Sequence, residues 1–345
     1  MTAVAIRNDV VGNLTADTRG CYRRKDEPSM TNPGWGDSGP RPGVIIGSSS
    51  TLYNCPVPPP GRGYRRRMVP LAFLLAAMSA SGASQQASPL PNKAGSLKFA
   101  VIGDNGTGDQ PQYDVARQMA AAHAAFSYDL VIMLGDNMYG GQSQADFVNK
   151  FEKPYAPLLQ AGVTFRATLG NHDRPENVSY KLYNMDGQRY YSYTRNNVRF
   201  VVIDSTQLDA RQVQWLETTL RDATQPWKIC YFHHPLYSNA ARHGSSVDLR
   251  VILEPIFVRY GVDVVFSGHD HVYERVKPQK GIYYFVSGAA GQLRKGNMRP
   301  DENTAAYFDQ DQSFMLVEVS DDDMFFSVIS RTGRTVDSGV IHHGR

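Results

Sequence analysis

The chain has 345 residues, 20% of them charged, and a formal net charge of +3. That fits one large globular domain or two modest ones. Ten Lys/Arg against five Asp/Glu give residues 1–67 a charge of +5 and leave −2 for the rest, so the folded part presents no basic face that would argue for nucleic acid.

Residues 1–67 have little apolar periodicity and many Gly, Pro, Ser and Arg, as in NPGWGDSGPRPG and PVPPPGRGYRRR. Such a segment buries too little apolar surface to offset its ordering entropy, and it reads as a disordered head. Residues 68–83 follow a basic stretch with an apolar run from Val69 to Met78 and small residues ending at Ala83. That is the layout of a secretory signal peptide, too short to span a bilayer comfortably. The expectation is that Met68 is the true start, with a secreted or periplasmic domain behind it. The other reading is a cytosolic tail before a short membrane anchor. Residues 84–95 read as a linker.

From Ser96 onward short apolar strands alternate with helices. LKFAVIG, DLVIMLGD, TFRATLGNHD, WKICYFHH, VDVVFSGHDH and GIYYFVSGAAG are predicted strands. QYDVARQMAAAHAAF, SQADFVNKFEKPYAPLL and DARQVQWLETTLRDA are predicted helices, and SVDLRVILEPIFVRYG is a helix that Pro255 should kink or split. RYYSYTRNNVRFVVIDS reads as a hairpin about an Asn-Asn turn; SFMLVEVS, DMFFSVIS and TVDSGVIHH close the chain as strands. The pattern is α/β with mixed sheets. Cys21 and Cys55 lie in the head, and Cys230 reads as a small apolar core residue, so no disulfide framework or paired-cysteine metal site is available.

Five of these strands deliver polar residues just past their C-terminal ends. VIGDNG gives Asp104, VIMLGDNMYG gives Asp136 and Tyr139, and ATLGNHD gives Asn171, His172 and Asp173. CYFHHP gives His233 and His234, and VVFSGHDH gives His269 and His271. In an α/β sheet that edge is where sites form. Taken singly, an Asp or Asn after a strand is often a turn or helix cap, and HHP reads equally as two half-buried aromatics. GNHD and GHDH are much rarer by composition, and all five in order point to metal ligands.

With these motifs the chain resembles the calcineurin-like metallophosphoesterases over most of residues 96–275. The resemblance implies a metallophosphoesterase fold, two mixed β-sheets packed as a sandwich flanked by helices, with two metal ions between strand-end loops. Most of that family opens with D-x-H, but here the motif is Asp104-Asn105-Gly106 and the histidine is missing. Tyr139, following the bridging aspartate in GDNMY, fills the vacancy, as in the purple acid phosphatase subgroup, where a tyrosinate binds ferric iron. Carried over, one metal takes Asp104, Asp136, Tyr139 and His271, and the other takes Asp136, Asn171, His233 and His269. Oxygen ligands suit Fe(III), and imidazoles with an amide oxygen suit a divalent partner, Fe, Zn or Mn. The plain reading of Tyr139 is a packed aromatic.

The resemblance further implies an acid phosphatase acting on small phosphorylated substrates, with a metal-bound hydroxide attacking phosphorus. His172 is the expected general acid and Asp173 the group orienting its ring. His243, on the loop SNAARHGSS, resembles a substrate-contacting histidine of the subgroup; a solvated loop histidine is the alternative. His234 is a weaker substrate contact, and Arg174 reads either as a phosphate contact or as a partner in a surface salt bridge. His123 reads as structural, and His342 and His343 read as tail. The motifs do not separate monoesters from diesters, so a phosphodiesterase stays open, as does a non-catalytic phosphate-binding protein. No GxSxG elbow supports a nucleophilic hydrolase.

Overall fold

The computed structural model describes residues 90–343. The expectations for the head, the signal peptide and residues 84–89 of the linker fall outside them.

The strands are β1 (Leu97–Ile102), β2 (Leu130–Met133), β3 (Thr164–Ala167), β4 (Tyr191–Arg195), β5 (Val198–Val202), β6 (Trp227–Tyr231) and β7 (Val264–Ser267). They continue as β8 (Tyr273–Gln279), β9 (Ile282–Ser287), β10 (Thr304–Phe308), β11 (Ser313–Ser320), β12 (Asp323–Ser330) and β13 (Thr335–His342). One sheet has the order β13-β12-β11-β1-β2-β3, and the other β10-β8-β9-β7-β6-β5-β4. Both are mixed. β1, β2 and β3 run parallel while β11 joins β1 antiparallel. In the second sheet β5, β6, β7 and β9 run parallel; β4 joins β5, β8 joins β9 and β10 joins β8 antiparallel.

The two sheets pack face to face. Phe99 of β1 meets Phe200 of β5 and Phe266 of β7 edge-on, at ring separations of 5.5 and 6.2 Å. Phe285 of β9 meets Phe326 of β12 at 5.1 Å. Each such aromatic pair adds to the area it buries. β2, buried at every position, reads as the continuous apolar run of a strand covered on both faces.

Helices α1 (Gln110–Ala125), α2 (Gln144–Phe147), α3 (Ala156–Gln160), α4 (Ala210–Arg221) and α5 (Val247–Tyr260) flank the sheets. Leu216 and Leu220 of α4 and Leu253 and Phe257 of α5 share a second core with Val201, Cys230 and Val265 from the outer face of the second sheet. Cys230 is fully buried, as its surroundings require. Pro255 does not split α5. The carbonyl it leaves without a helical partner belongs to Val251, which is 69% exposed, so water can take the bond. The predicted helix at 143–159 is instead two short helices joined by a π-helical turn, Val148–Glu152. The end of the linker is fixed: Glu318 of β11 accepts bonds from the backbone of Asn92 and Lys93, at 2.7 and 2.6 Å. His342 lies in β13 and the His343 ring packs 5.1 Å from Trp227, so neither is a loose tail.

Candidate metal centre

Five strands ending at the same edge bring the predicted residues together. The ladders continue one step past the strands: the Asp104 N–H donates to the Gly135 carbonyl at 3.0 Å, and the Gly268 N–H to the His233 carbonyl at 2.9 Å. The chain then turns sharply. Asp104, Asp136 and His269 all adopt left-handed φ, at 54°, 49° and 71°. Non-glycine residues pay for that conformation, and it concentrates at functional sites. Gly268 permits a close approach: a Cβ there would stand 2.5 Å from Asp104 Oδ2. The His269 N–H then reaches that same carboxylate oxygen at 2.8 Å, tying one sheet to the other.

The side chains fall into two groups sharing Asp136. In the first, the Tyr139 hydroxyl lies 3.0 Å from Asp104 Oδ1, 3.0 Å from Asp136 Oδ2 and 3.2 Å from His271 Nε2. In the second, His233 Nε2 lies 3.0 Å from Asn171 Oδ1, 3.1 Å from His269 Nδ1 and 3.5 Å from Asp136 Oδ1. All seven predicted ligand side chains are thus within two small clusters. Gly106, where the usual histidine would stand, has no room for a side chain: a Cβ there would meet the backbone nitrogen of Met138 at 2.5 Å. The same packing brings the Tyr139 N–H onto the Gly106 carbonyl at 2.9 Å and aims the phenol inward. Lys150 holds that loop, donating to the carbonyls of Tyr139 and Gly141 at 2.8 and 2.7 Å.

The chemistry of these contacts calls for cations. A phenol has one proton and cannot donate to Asp104 and Asp136 at once. His233 Nδ1 faces the Leu134 carbonyl at 2.9 Å, an acceptor, so Nδ1 carries the proton and Nε2 presents a lone pair. That lone pair looks toward the oxygens of Asn171 and Asp136, which are acceptors too. Without a positive charge such an arrangement is unfavourable. Burial, reinforced by Asp136, pushes the Asp104 carboxyl well up. Burial also raises Asp136, and burial with both carboxylates raises the Tyr139 phenol. Burial and the neighbouring imidazoles hold His233 and His269 far below the usual histidine range. Burial, with Arg294 next, brings His271 down to about 4. Neutral imidazoles and clustered oxygens are the donor set of a dinuclear metal site. Donor atoms of Asp104, Asp136 and His233 lie within 4.8 Å of one another, as do those of His233, His234 and His269.

Residues 97–273, just over half the chain, match the calcineurin-like phosphoesterase family. The chain belongs to that family. Purple acid phosphatase 3 of Arabidopsis thaliana is 30% identical over 294 residues, 72% of this chain and 77% of the relative. Tartrate-resistant acid phosphatase type 5 of Oryctolagus cuniculus is 28% identical over 236 residues, 56% of this chain and 72% of the relative. Purple acid phosphatase PPD1 of yellow lupin seeds has a TM-score of 0.60 at 19% identity, over 74% of this chain and 55% of that one, a likeness of fold. This calcineurin-like phosphoesterase is a metal-dependent phosphoric ester hydrolase of purple acid phosphatase type.

Around the phosphoesterase centre, His172 is exposed, its ring 4.7 Å from that of Tyr139, and its backbone N–H donates to Asp136 Oδ1 at 2.8 Å. His243 also reaches the centre, its exposed ring 4.2 Å from that of His269. His234 is turned by Ser205, whose hydroxyl lies 3.0 Å from its Nδ1. Arg174 is exposed beside the 170–173 loop. His123 packs edge-on against Tyr128, 5.0 Å away, in a structural position.

Asp173 does not orient the His172 ring. Its Oδ2 accepts from the Asn137 N–H at 3.1 Å, Asn137 Nδ2 at 2.8 Å and the Gly170 N–H at 2.9 Å, and its Oδ1 from the Met138 N–H at 3.0 Å. Donors on both oxygens suit the ionised form, although burial and Asp136 push this carboxyl up to about 7. Asp173 is a clamp between the loops that carry Tyr139 and Asn171. Sequence reasoning also missed Asp270. It points away from its histidine neighbours and accepts from Ser238 Oγ at 2.6 Å and the Gly244 N–H at 3.2 Å, holding the loop that carries His243.

Proposed function

We propose that this protein is an acid phosphatase that hydrolyses phosphate monoesters, with Fe(III) in the group around Tyr139 and a divalent ion in the other. The observation that carries the reading is the Tyr139 hydroxyl 3.0 Å from both Asp104 and Asp136, over a Gly106 that leaves no space for histidine. Asp104, Asp136 and the phenol would supply three anionic oxygens, which favours a hard trivalent ion beside His271. Asn171, His233 and His269 would hold the divalent ion, with Asp136 shared. Such a pair, when bound, supplies Lewis-acid charge and lowers the pKa of water.

The chain's own residues do the rest. His172, exposed beside the centre with its backbone fixed to Asp136, protonates the leaving alkoxide. His243, its ring beside that of His269, contacts the substrate. Asp173 and Asp270 hold these two histidines in position through the loops they clamp. The basic stretch before Val69 and the small residues near Ala83 support an extracytoplasmic location; among the described residues no helix is long and apolar enough to cross a membrane.

The deciding experiment is metal analysis of the purified protein with its visible spectrum and its turnover of nitrophenyl phosphate and the bis-nitrophenyl ester. A tyrosinate-to-iron band that disappears in Tyr139→Phe, with faster turnover of the monoester, is expected. A colourless protein with zinc or manganese in both positions, or preference for the diester, sinks the proposal.

A further inference from the structure

Arg294 lies on the loop after β9, which runs along the metal-centre loops. The Ala290 N–H donates to the Gly103 carbonyl at 3.1 Å, the Gln292 N–H to that of Asp104 at 3.0 Å, and the Arg294 N–H to that of His271 at 2.9 Å. Gly291 lets this loop press close, since a Cβ there would meet the Asn105 carbonyl oxygen at 2.5 Å. The backbone of Arg294 is therefore bonded directly to a residue of the centre.

Its side chain is unusual. Sixteen arginines fall among the described residues. Twelve of them pair with carboxylates, hydrogen-bond acceptors or aromatic faces, such as Arg189 with Asp204, Arg275 with Asp337, Arg166 with Tyr193 and Arg334 with Phe308. Arg174, Arg211 and Arg242 have no such partner but are exposed to water. Arg294 alone among the described residues is partly buried with no side-chain partner, and its Nε is fully covered and unbonded. A half-buried guanidinium without a counter-ion is costly, and folds tolerate it where a ligand supplies the anion. Its charge reaches the site: it opposes protonation of His271 and of His243.

We infer that Arg294 is a specificity residue that binds a non-bridging oxygen of the substrate's terminal phosphate, on the side of the centre between His271 and His243. This rests on the phosphatase reading and sharpens it. A monoester dianion has three unsubstituted oxygens and two negative charges to offer, and a guanidinium matches that group in charge and in its paired donors. A diester has one charge and an esterified oxygen where the dianion has a free one. Arg294 thus favours terminal phosphates over diesters.

The test uses metal-loaded protein with inorganic phosphate as the probe. Calorimetry gives its dissociation constant, and the two nitrophenyl esters give kcat/KM. Arg294→Gln keeps the polar stem and Arg294→Lys keeps the charge. In Arg294→Gln, phosphate binding should weaken roughly ten- to hundred-fold, the scale of a charge-assisted bond. Turnover of the monoester should fall by a similar factor through KM, with the diester nearly unaffected, and Arg294→Lys should recover part of both. Metal content and melting temperature report any purely structural role. Unchanged phosphate affinity, or equal losses on the two esters, overturns the inference. Phosphate binding reads Arg294 without turnover, so an inactive wild type that still binds phosphate through Arg294 would strike at the catalytic reading and not at this one.

Discussion

Replacing Asp173 with alanine separates two readings of the GNHD motif. If Asp173 oriented the His172 ring, its loss would lower turnover and leave the fold and metal content alone. The structure gives it a different task, gathering four N–H donors from the 137–138 and 170 positions onto one carboxylate. An unsatisfied buried donor costs about 1–3 kcal/mol, so four dry donors would cost ~4–12 kcal/mol. Asp173 is only partly buried, and water will replace some of these bonds. A net loss of about 2–4 kcal/mol is the working figure. In a domain of this size each kcal/mol lowers the melting temperature by about 2–4 °C, so Asp173→Ala should melt about 5–15 °C lower by calorimetry. The two clamped loops carry Tyr139 and Asn171, one from each donor group, so metal content should fall with stability. The dependence of residual turnover on leaving-group pKa should match wild type. An Asp173→Ala protein with normal melting and full metal, but selectively slow on poor leaving groups, would refute the clamp and restore the ring-orienting role.

His172→Ala should depress turnover of alkyl phosphates ~100-fold, the low end for a general acid, while sparing nitrophenyl phosphate; equal losses on both would remove His172 as the proton donor. Ser238→Ala deletes the 2.6 Å bond to Asp270 that anchors the His243 loop, so it should lower kcat/KM several-fold, about 1 kcal/mol, and add little to His243→Ala. Additive losses in the double variant would show that the loop works without this anchor. In metal-free protein, burial keeps His233 and His269 neutral, so the unfolded chain gains protons below pH 6.5 that the fold refuses, and stability falls with pH. Asp104 and Asp136 titrate above 3.8 in the fold and pull the other way until bound cations hold them ionised. The loaded protein's melting temperature should therefore fall more steeply from about pH 7 to about pH 4 than that of chelated protein, and parallel curves would contradict the assignment.

The residues of the two donor groups were legible because each sits just past an apolar strand, most of them behind a turn glycine, signals contained within five or six residues. The strands alone indicated α/β with mixed sheets, and the sandwich came from the family resemblance that their motifs carry. Asp173 and Asp270 were misread or missed because their partners lie about thirty residues away, Asn137 for the first and Ser238 for the second. Next to histidine in GNHD and GHDH, each looks like part of the catalytic string, yet each points the other way. β8 and β10 escaped notice for a different reason: YERVKPQ mixes charges with a proline, and TAAYF is short and half-exposed, so neither shows clean alternation. Arg294 carries no local signal at all, because an arginine in a glycine-rich loop gains meaning only from what fails to meet it.

The layout of the two donor groups also links metal binding to folding. Asp104, Asp136, Tyr139 and Asn171 follow strands of the first sheet, whereas His233, His269 and His271 follow strands of the second. Each group draws on both sheets, three donors against one around Tyr139 and two against two around His233. A cation in either group therefore joins the sheets at the edge where three left-handed residues and converging carboxylates would otherwise push them apart. The binding energy of the ions is spent partly on closing the sandwich, so the unfavourable contacts that define the site and the docking of the two sheets are the same feature seen from two sides.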